Sequence, residues 1–249
     1  MNNKAVIFVG PSLRRDKARR IFDADYRPPA KKGDLLRLVN FGFNSKNNNN
    51  NNSDNKIPTI VGLIDGLFLQ DYPPTPIEVY HLLSSKYFRV VGGASLGALR
   101  AVELEKFGMV GIGKIFELYK KGIINADDEV AVTFAAEEDQ EIQSEAMIDI
   151  RYNLFIANKR GIIDATAKTM ITRVAKRIYF PYRNYSNIIE QTKNKFPELS
   201  SQLNLFAIYI EQNRKSLKEL DALKVIKYIK AYFEDCKNTY INQHKPRNF

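Results

Sequence analysis

One cysteine, Cys236, stands among the 249 residues, so the chain can form neither an internal disulfide nor a cysteine-rich zinc site. There are two histidines. His81 falls mid-way along an expected helix and His244 in the tail, and no Ser-His-Asp triad is visible. His81 as a general base competes with its reading as a packing or surface residue. No apolar run approaches the 18 residues of a membrane span. The start, Met1-Asn2-Asn3-Lys4, leads directly into an expected strand rather than a signal sequence, and a soluble, cytoplasmic protein is the expectation.

What is present in excess is positive charge, +10 overall. Residues 1–40 carry net +6, residues 41–159 net −5 and residues 160–249 net +9. Basic ends around an acidic centre suit electrostatic docking onto an acidic protein. Nucleic acid is the competing partner, but the basic residues after 160 alternate with apolar ones, as on a solvated helix face.

A hydrophobic content of 44% suffices for one good core, or a core with a helical annex. Residues 4–10 read as a short apolar strand stopped by Gly10-Pro11, after which Ser12 can cap a helix over 14–22. Gly33-Asp34 starts a helix over 35–41. Residues 57–64 form a second strand ending in Asp65-Gly66, residues 76–84 a helix, and residues 88–91 a third strand. Residues 128–134 are a candidate fourth. Strands alternating with helices imply an α/β fold, an open and mainly parallel sheet with flanking helices. A helical C-terminal region follows, with breaks near Pro181 and Pro197. The expected division is a core over 1–140 and a helical region over 141–249 packed on it. Leu217, Leu220, Leu223, Ile226, Ile229 and Phe233 form an apolar stripe on a last helix, opposite Lys218, Lys224 and Lys227. Between Lys46 and Lys56, six consecutive asparagines predict a mobile loop extension.

The stretch with most chemical content is Gly93-Ala94-Ser95-Leu96-Gly97, which fits Gly-x-Ser-x-Gly. Small residues there let a strand turn sharply into a helix and expose a hydroxyl at the positive helix end. The plainer reading makes Ser95 only a helix cap. In open parallel sheets ligands bind beyond the carboxyl ends of the strands. Three motifs, Gly10-Pro11-Ser12, Asp65-Gly66 and Gly93-Ala94-Ser95, should therefore converge on one edge. Alone, Asp65-Gly66 is an ordinary turn and Ser12 an ordinary cap.

The segment from Gly93 to Tyr119 resembles the core of the TfuA-like proteins. The resemblance takes in Phe8-Val9-Gly10-Pro11-Ser12-Leu13, residues 26–35 and Ile64-Asp65-Gly66-Leu67-Phe68. Further on come Asp127-Asp128-Glu129-Val130-Ala131-Val132 and residues 144–151. Six blocks keep their order from residue 4 to about 165. The resemblance implies a partner of ATP-dependent YcaO enzymes in peptide thioamidation. It also implies hydrolysis of the C-terminal thiocarboxylate of a ubiquitin-like, ThiS-like sulfur carrier, releasing sulfide. Pro76-Ile77-Glu78-Val79, Ile163-Asp164-Ala165 and Tyr179-Phe180-Pro181-Tyr182-Arg183-Asn184-Tyr185 look most like the methanogen branch. There the modified residue is a glycine of the methyl-coenzyme M reductase alpha subunit. Many relatives carry His-Lys-Glu where this chain has Pro76-Ile77-Glu78, so only Glu78 carries over. No cofactor of its own is implied, since ATP and Mg²⁺ belong to the YcaO partner.

Hydrolysing a thiocarboxylate needs an activated nucleophile and an oxyanion site, while sulfide, a weak base, leaves with little acid help. Ser95 is the candidate nucleophile and Asp65 its candidate base or orienting carboxylate. The N–H groups of Leu96 and of Gly10 or Ser12 are candidate oxyanion donors; Pro11 has none to give. Arg27 could clamp a carboxylate, or pair with Asp23 or Asp25. Arg100 and Glu103 are candidate substrate contacts, or simply a helical pair. Asp127, Asp128 and Glu129 read as a solvated acidic run, with no metal assigned. Cys236, outside the resemblance, reads as incidental, so the sulfur is expected to arrive on another molecule. A non-catalytic adaptor joining YcaO, carrier and substrate remains the alternative, and a free-standing esterase the more distant one.

Overall fold

The strand-forming run near the N-terminus becomes β1, Ala5–Phe8, buried along its whole length as in a parallel sheet covered on both faces. The structure, a computed structural model, describes residues 5–39, 58–67, 72–134 and 143–243, with side chains to 239. The asparagine run, the end of the expected 35–41 helix and His244 lie outside these residues. The chain forms two units, residues 1–123 with 219–249, and residues 124–218.

In the first unit, β1 is joined by β2 (Asp25–Arg27), β3 (Thr59–Leu63), β4 (Phe88–Gly93) and β5 (Val110–Ile112). The order is β2-β1-β3-β4-β5, and every pairing is parallel. Between them run α1 (Arg15–Arg19), α2 (34–39), α3 (Pro76–Leu83), α4 (Leu96–Leu104) and α5 (Lys114–Lys120). β2 and β5 have three residues each, too few to show a period in sequence. The start of α3 is fixed locally: Thr75 accepts the Glu78 N–H, and Glu78 reaches back to the Thr75 N–H. α1 is shorter than the expected 14–22 helix and begins at the N-cap Arg14, which makes no side-chain cap bond. Ser12 is engaged elsewhere, as described below.

The chain leaves β1 toward β2 on one side and β3 stands on the other, so the topological switch point lies between β1 and β3.

From Glu219 onward, α10 (Leu217–Gln243) belongs with the sheet. Ala222, Val225, Ile226 and Ile229 are buried in one cluster with Ile7, Ile60, Ile64 and Val91. Gly62 makes this approach possible, since a Cβ there would lie 2.7 Å from Ile229 Cδ1. Asp221 accepts the Ile115 N–H at 2.7 Å, satisfying a donor at the start of α5. The expected division at 140/141 therefore differs from the folded one, because the last helix fills the sheet's core. Within the stripe, Leu217, Ile226 and Ile229 are buried, whereas Leu220 is 40% exposed.

The second unit packs α6 (Met147–Lys159), α7 (Ala165–Arg177), α8 (Tyr185–Lys195) and α9 (Ser200–Asn213) around Ile150, Leu154, Ile171, Ile188, Leu203 and Phe206. Single 3₁₀ turns at Phe180–Tyr182 and Pro197–Leu199 mark the two proline breaks. Asp164 and Asn184 cap α7 and α8 through the Ala167 and Asn187 N–H groups. Lys218, expected on a solvated face, is buried and donates from Nζ to the Val130 carbonyl at 2.8 Å.

Residues 128–134 do not form a strand. Asp127–Glu129 is a 3₁₀ turn; Asp127 is exposed, as expected of a solvated run, whereas Asp128 and Glu129 are neutralised internally. Glu129 is held by Arg151 through Nε and Nη2, both at 2.9 Å, and by Lys176 at 2.9 Å. Asp128 pairs with Lys176 and with the buried Arg183. Burial opposes ionisation of Glu129, but the bonds from Arg151 and Lys176 outweigh it and hold its pKa below the usual carboxylate range.

Glu145 titrates the other way. Burial, opposed by Arg214 and aided by Asp149, pushes it up to about 7. A carboxyl raised on folding contributes stability that is full below its unfolded pKa and is lost as pH rises through 7. Glu145→Gln should remove this loss, which amounts to about 3 kcal/mol at most. Thermal unfolding at pH 5 and pH 8 measures it. The wild type should fall between the two and the variant should stay nearly level, whereas parallel curves would refute the assignment.

Candidate functional site

The site begins at the carboxyl ends of the strands, where the three motifs do meet. Asp65, 1% exposed, stands two residues beyond β3. Its Oδ2 accepts the Gly10 N–H at 2.9 Å and the Ser12 N–H at 3.0 Å, while Oδ1 accepts the Ser12 hydroxyl at 2.6 Å. Its carbonyl accepts the Ala30 N–H at 2.9 Å, and the Leu67 N–H returns to Ala30 at 3.0 Å. Ala30 and Gly66 thus form a parallel bridge beyond the end of the sheet. The segment after β2 crosses the end of β1, and the switch-point crevice is closed by Ala30 and by the Asp65 carboxylate. Where such folds commonly place a ligand anion, this chain places its own.

This arrangement revises two expectations. The Gly10 and Ser12 N–H groups are committed to Asp65 rather than free for an oxyanion. Asp65 makes its side-chain bonds to the β1 loop and none to Ser95, so the hydroxyl on Asp65 is that of Ser12.

Ser95 sits two residues beyond β4. Ala94, just before it, has φ 65°, the one positive φ at a non-glycine among the described residues. The Ser95 N–H folds back onto the Gly93 carbonyl at 2.8 Å, and α4 starts at Leu96. Close packing shapes this turn. A Cβ on Gly93 would lie 2.4 Å from the Ile112 carbonyl oxygen, and one on Gly97 only 1.7 Å from that of Leu63. The Gly97 N–H donates to the Ile64 carbonyl at 3.2 Å.

Although Ser95 occupies the N-cap position, its side chain makes no cap hydrogen bond. The plain capping role is therefore not the one it plays. The Leu96 N–H has no acceptor among the described residues. A hydroxyl and a helix-end N–H thus stand next to each other without hydrogen-bond partners among the described residues, the serine being 2% exposed.

The other candidates are occupied. Arg27 gives Nε and Nη2 to Asp25 Oδ2 at 2.9 and 2.8 Å, the ion-pair alternative, with its guanidinium 6.0 Å from the Phe8 ring. Arg100 holds both Glu103 oxygens at 3.0 and 2.8 Å and the Pro74 carbonyl at 2.8 Å, tying α4 to the approach of α3. Glu78 is buried and accepts the Gly33 N–H at 2.7 Å, a structural engagement. His81 is exposed in the last turn of α3. No group of three or more His, Cys, Asp or Glu side chains placed to hold a metal occurs among the described residues. Asp221, in no motif, escaped sequence reading, and Ala30, though inside the block at 26–35, was given no role, since each acts on a partner far along the chain.

A doubly wound α/β unit with a serine at a strained strand-to-helix turn defines the class of protein. Residues 65–184 match the sequence model of the TfuA-like protein family. Over those residues, which take in Asp65, Ser95 and Arg183 and begin after the Gly10-Pro11-Ser12 loop, the chain is similar to the TfuA-like proteins. The family is associated with YcaO-dependent thioamidation. No curated protein matches the chain. Among the described residues no helix is long and apolar enough to cross a membrane.

Proposed function

We propose that this protein releases sulfide for peptide thioamidation by hydrolysing the C-terminal thiocarboxylate of a ubiquitin-like carrier. A YcaO partner would use that sulfide with ATP, and a glycine of methyl-coenzyme M reductase is the target that the resemblance implies. The carrying observation is the pair of unpartnered groups at one turn, the Ser95 hydroxyl and the Leu96 N–H. Ser95 Oγ attacks the carbonyl carbon, the Leu96 N–H holds the oxyanion, and the C–S bond breaks. The hydroxyl proton departs with sulfur as HS⁻. Water then cleaves the acyl-serine, leaving a carboxylate and restoring Ser95. In this scheme Asp65 acts by position, fixing the β1 loop and the Ala30 crossing.

The burial of Ser95 favours a second reading, an adaptor that joins YcaO, carrier and substrate without catalysis. The test is sulfide release from purified thiocarboxylated carrier, with and without YcaO. Release by the wild type alone supports the hydrolase; none in either mixture makes the adaptor the better account.

Asp65→Asn separates position from base chemistry. The amide oxygen can still accept the two N–H groups, and the Ser12 hydroxyl can turn to accept from the amide NH₂. Release should stay within about threefold of wild type, whereas loss of a true general base costs about 10²–10⁴-fold. Asp65→Ala strands three donors and should cost about 3 kcal/mol or more in thermal unfolding.

A further inference from the structure

The sheet edge that carries Ser95 is rimmed on its β1/β2 side by cations. Arg14 and Arg15 directly follow the Gly10-Pro11-Ser12 loop, Arg27 ends β2, and Lys31 and Lys32 follow the Ala30 crossing. Nine basic and four acidic side chains fall between residues 14 and 37. Three of the four acids are used locally: Asp16 by Arg14 and Arg20, Asp25 by Arg27, and Asp34 by Arg37. Arg15 and Lys31 have no carboxylate partner among the described residues. Arg14 is 80% exposed along its side chain. The Lys32 ammonium lies 5.8 Å from the ring of Tyr72, itself 75% exposed.

Helix stability does not account for the first two of these residues. Arg14 and Arg15 stand at the start of a helix, where the peptide dipoles disfavour cations.

We propose that this rim is the docking surface for an acidic protein, which the edge steers so that its C-terminal tail reaches Ser95. The inference rests on the hydrolase reading only for what the tail does once docked. A protein fits better than nucleic acid for two reasons. The interleaved Asp16, Asp23, Asp25 and Asp34 would repel a continuous phosphate backbone, whereas carboxylates on a folded partner can match single guanidinium groups. Tyr72 beside Lys32 adds an amphipathic anchor of the kind enriched at protein interfaces.

The experiment uses the full chain carrying Arg14→Glu, Arg15→Glu and Lys31→Glu together, with a ThiS-like carrier as probe. Acids suit a helix start, so the variant should unfold at or above the wild-type temperature. Binding of the carrier in its plain carboxylate form is measured first, at 50 and 300 mM salt. The wild type should weaken at least fivefold over that range. The variant should bind at least tenfold more weakly at low salt and show little salt dependence. Where sulfide release is measurable, KM should rise by the same factor with kcat unchanged. Unaltered carrier binding by the variant overturns the rim. Loss of binding to duplex DNA with carrier binding intact overturns it equally, since that assigns the charge to nucleic acid. If the wild type binds the carrier but releases no sulfide, the hydrolase reading fails while the rim is still decided by the binding comparison.

Discussion

Replacing Ser95 with alanine is expected to lower sulfide release by about 10³-fold or more while leaving the fold intact. The two halves of this expectation rest on separate observations. The catalytic half follows from the hydroxyl standing beside the free Leu96 N–H at the start of α4. The stability half follows from what the side chain does not do. An N-cap serine normally contributes about 1 kcal/mol through its bond to the helix, and Ser95 makes no such bond. Thermal unfolding of Ser95→Ala should therefore agree with wild type within about 0.5 kcal/mol. Release that survives the substitution would remove Ser95 as nucleophile. A stability loss of full capping size would instead return it to the structural role.

Gly97→Ala should be far more damaging to the protein than helix propensity allows. Gly97 lies in α4, where alanine is favoured over glycine by about 1 kcal/mol on backbone grounds. A Cβ there would sit 1.7 Å from the Leu63 carbonyl oxygen, a backbone atom inside β3 that pairs with both β1 and β4. It cannot swing aside as a side-chain tip can, so α4 must separate from the sheet. The Gly97 bond to Ile64 is lost with it. The expected cost is on the order of 3 kcal/mol or more, the range of overpacked cores. The same substitution displaces the Ser95 turn, so activity should fall as well. Thermal unfolding beside Gly108→Ala is the comparison to make. At Gly108 a Cβ would meet nothing within 4 Å and only the φ of 98° resists it, so a smaller cost is expected. Equal stability of Gly97→Ala and wild type would mean that helix and strand are not packed this closely.

Much of the site was legible in the chain, because its signals are local. Glycines around Ser95 mark a strand that must turn at once into a closely packed helix, and the turn falls where those residues stand. Thr75 and Glu78, three apart, write the start of α3 in adjacent letters. The alternation of apolar runs with helical segments indicated a parallel sheet, and the convergence of Gly10, Asp65 and Ser95 on one edge followed from that topology.

The pairing at that edge was not legible. In sequence Asp65 read as the base or orienting carboxylate of Ser95, and only the folded distances commit it to Gly10 and Ser12. The last helix read as part of a C-terminal annex because its stripe records burial but not against what. Gly62 and Ile229, 167 positions apart, meet only once the sheet exists. Asp128 and Glu129 read as solvated, since their cations lie far along the chain, Arg151 on α6, Lys176 on α7 and Arg183 in the segment before α8.

Local chemistry therefore fixed which residues are forced into particular backbone shapes, because capping, tight turns and strand burial act over a few neighbours. Folding decided which of those residues hold one another, because a hydrogen bond or a packed contact depends on distances that the order of the residues leaves open. Ser95 belongs to the first kind of information, and the commitment of Asp65 to Gly10 and Ser12 to the second.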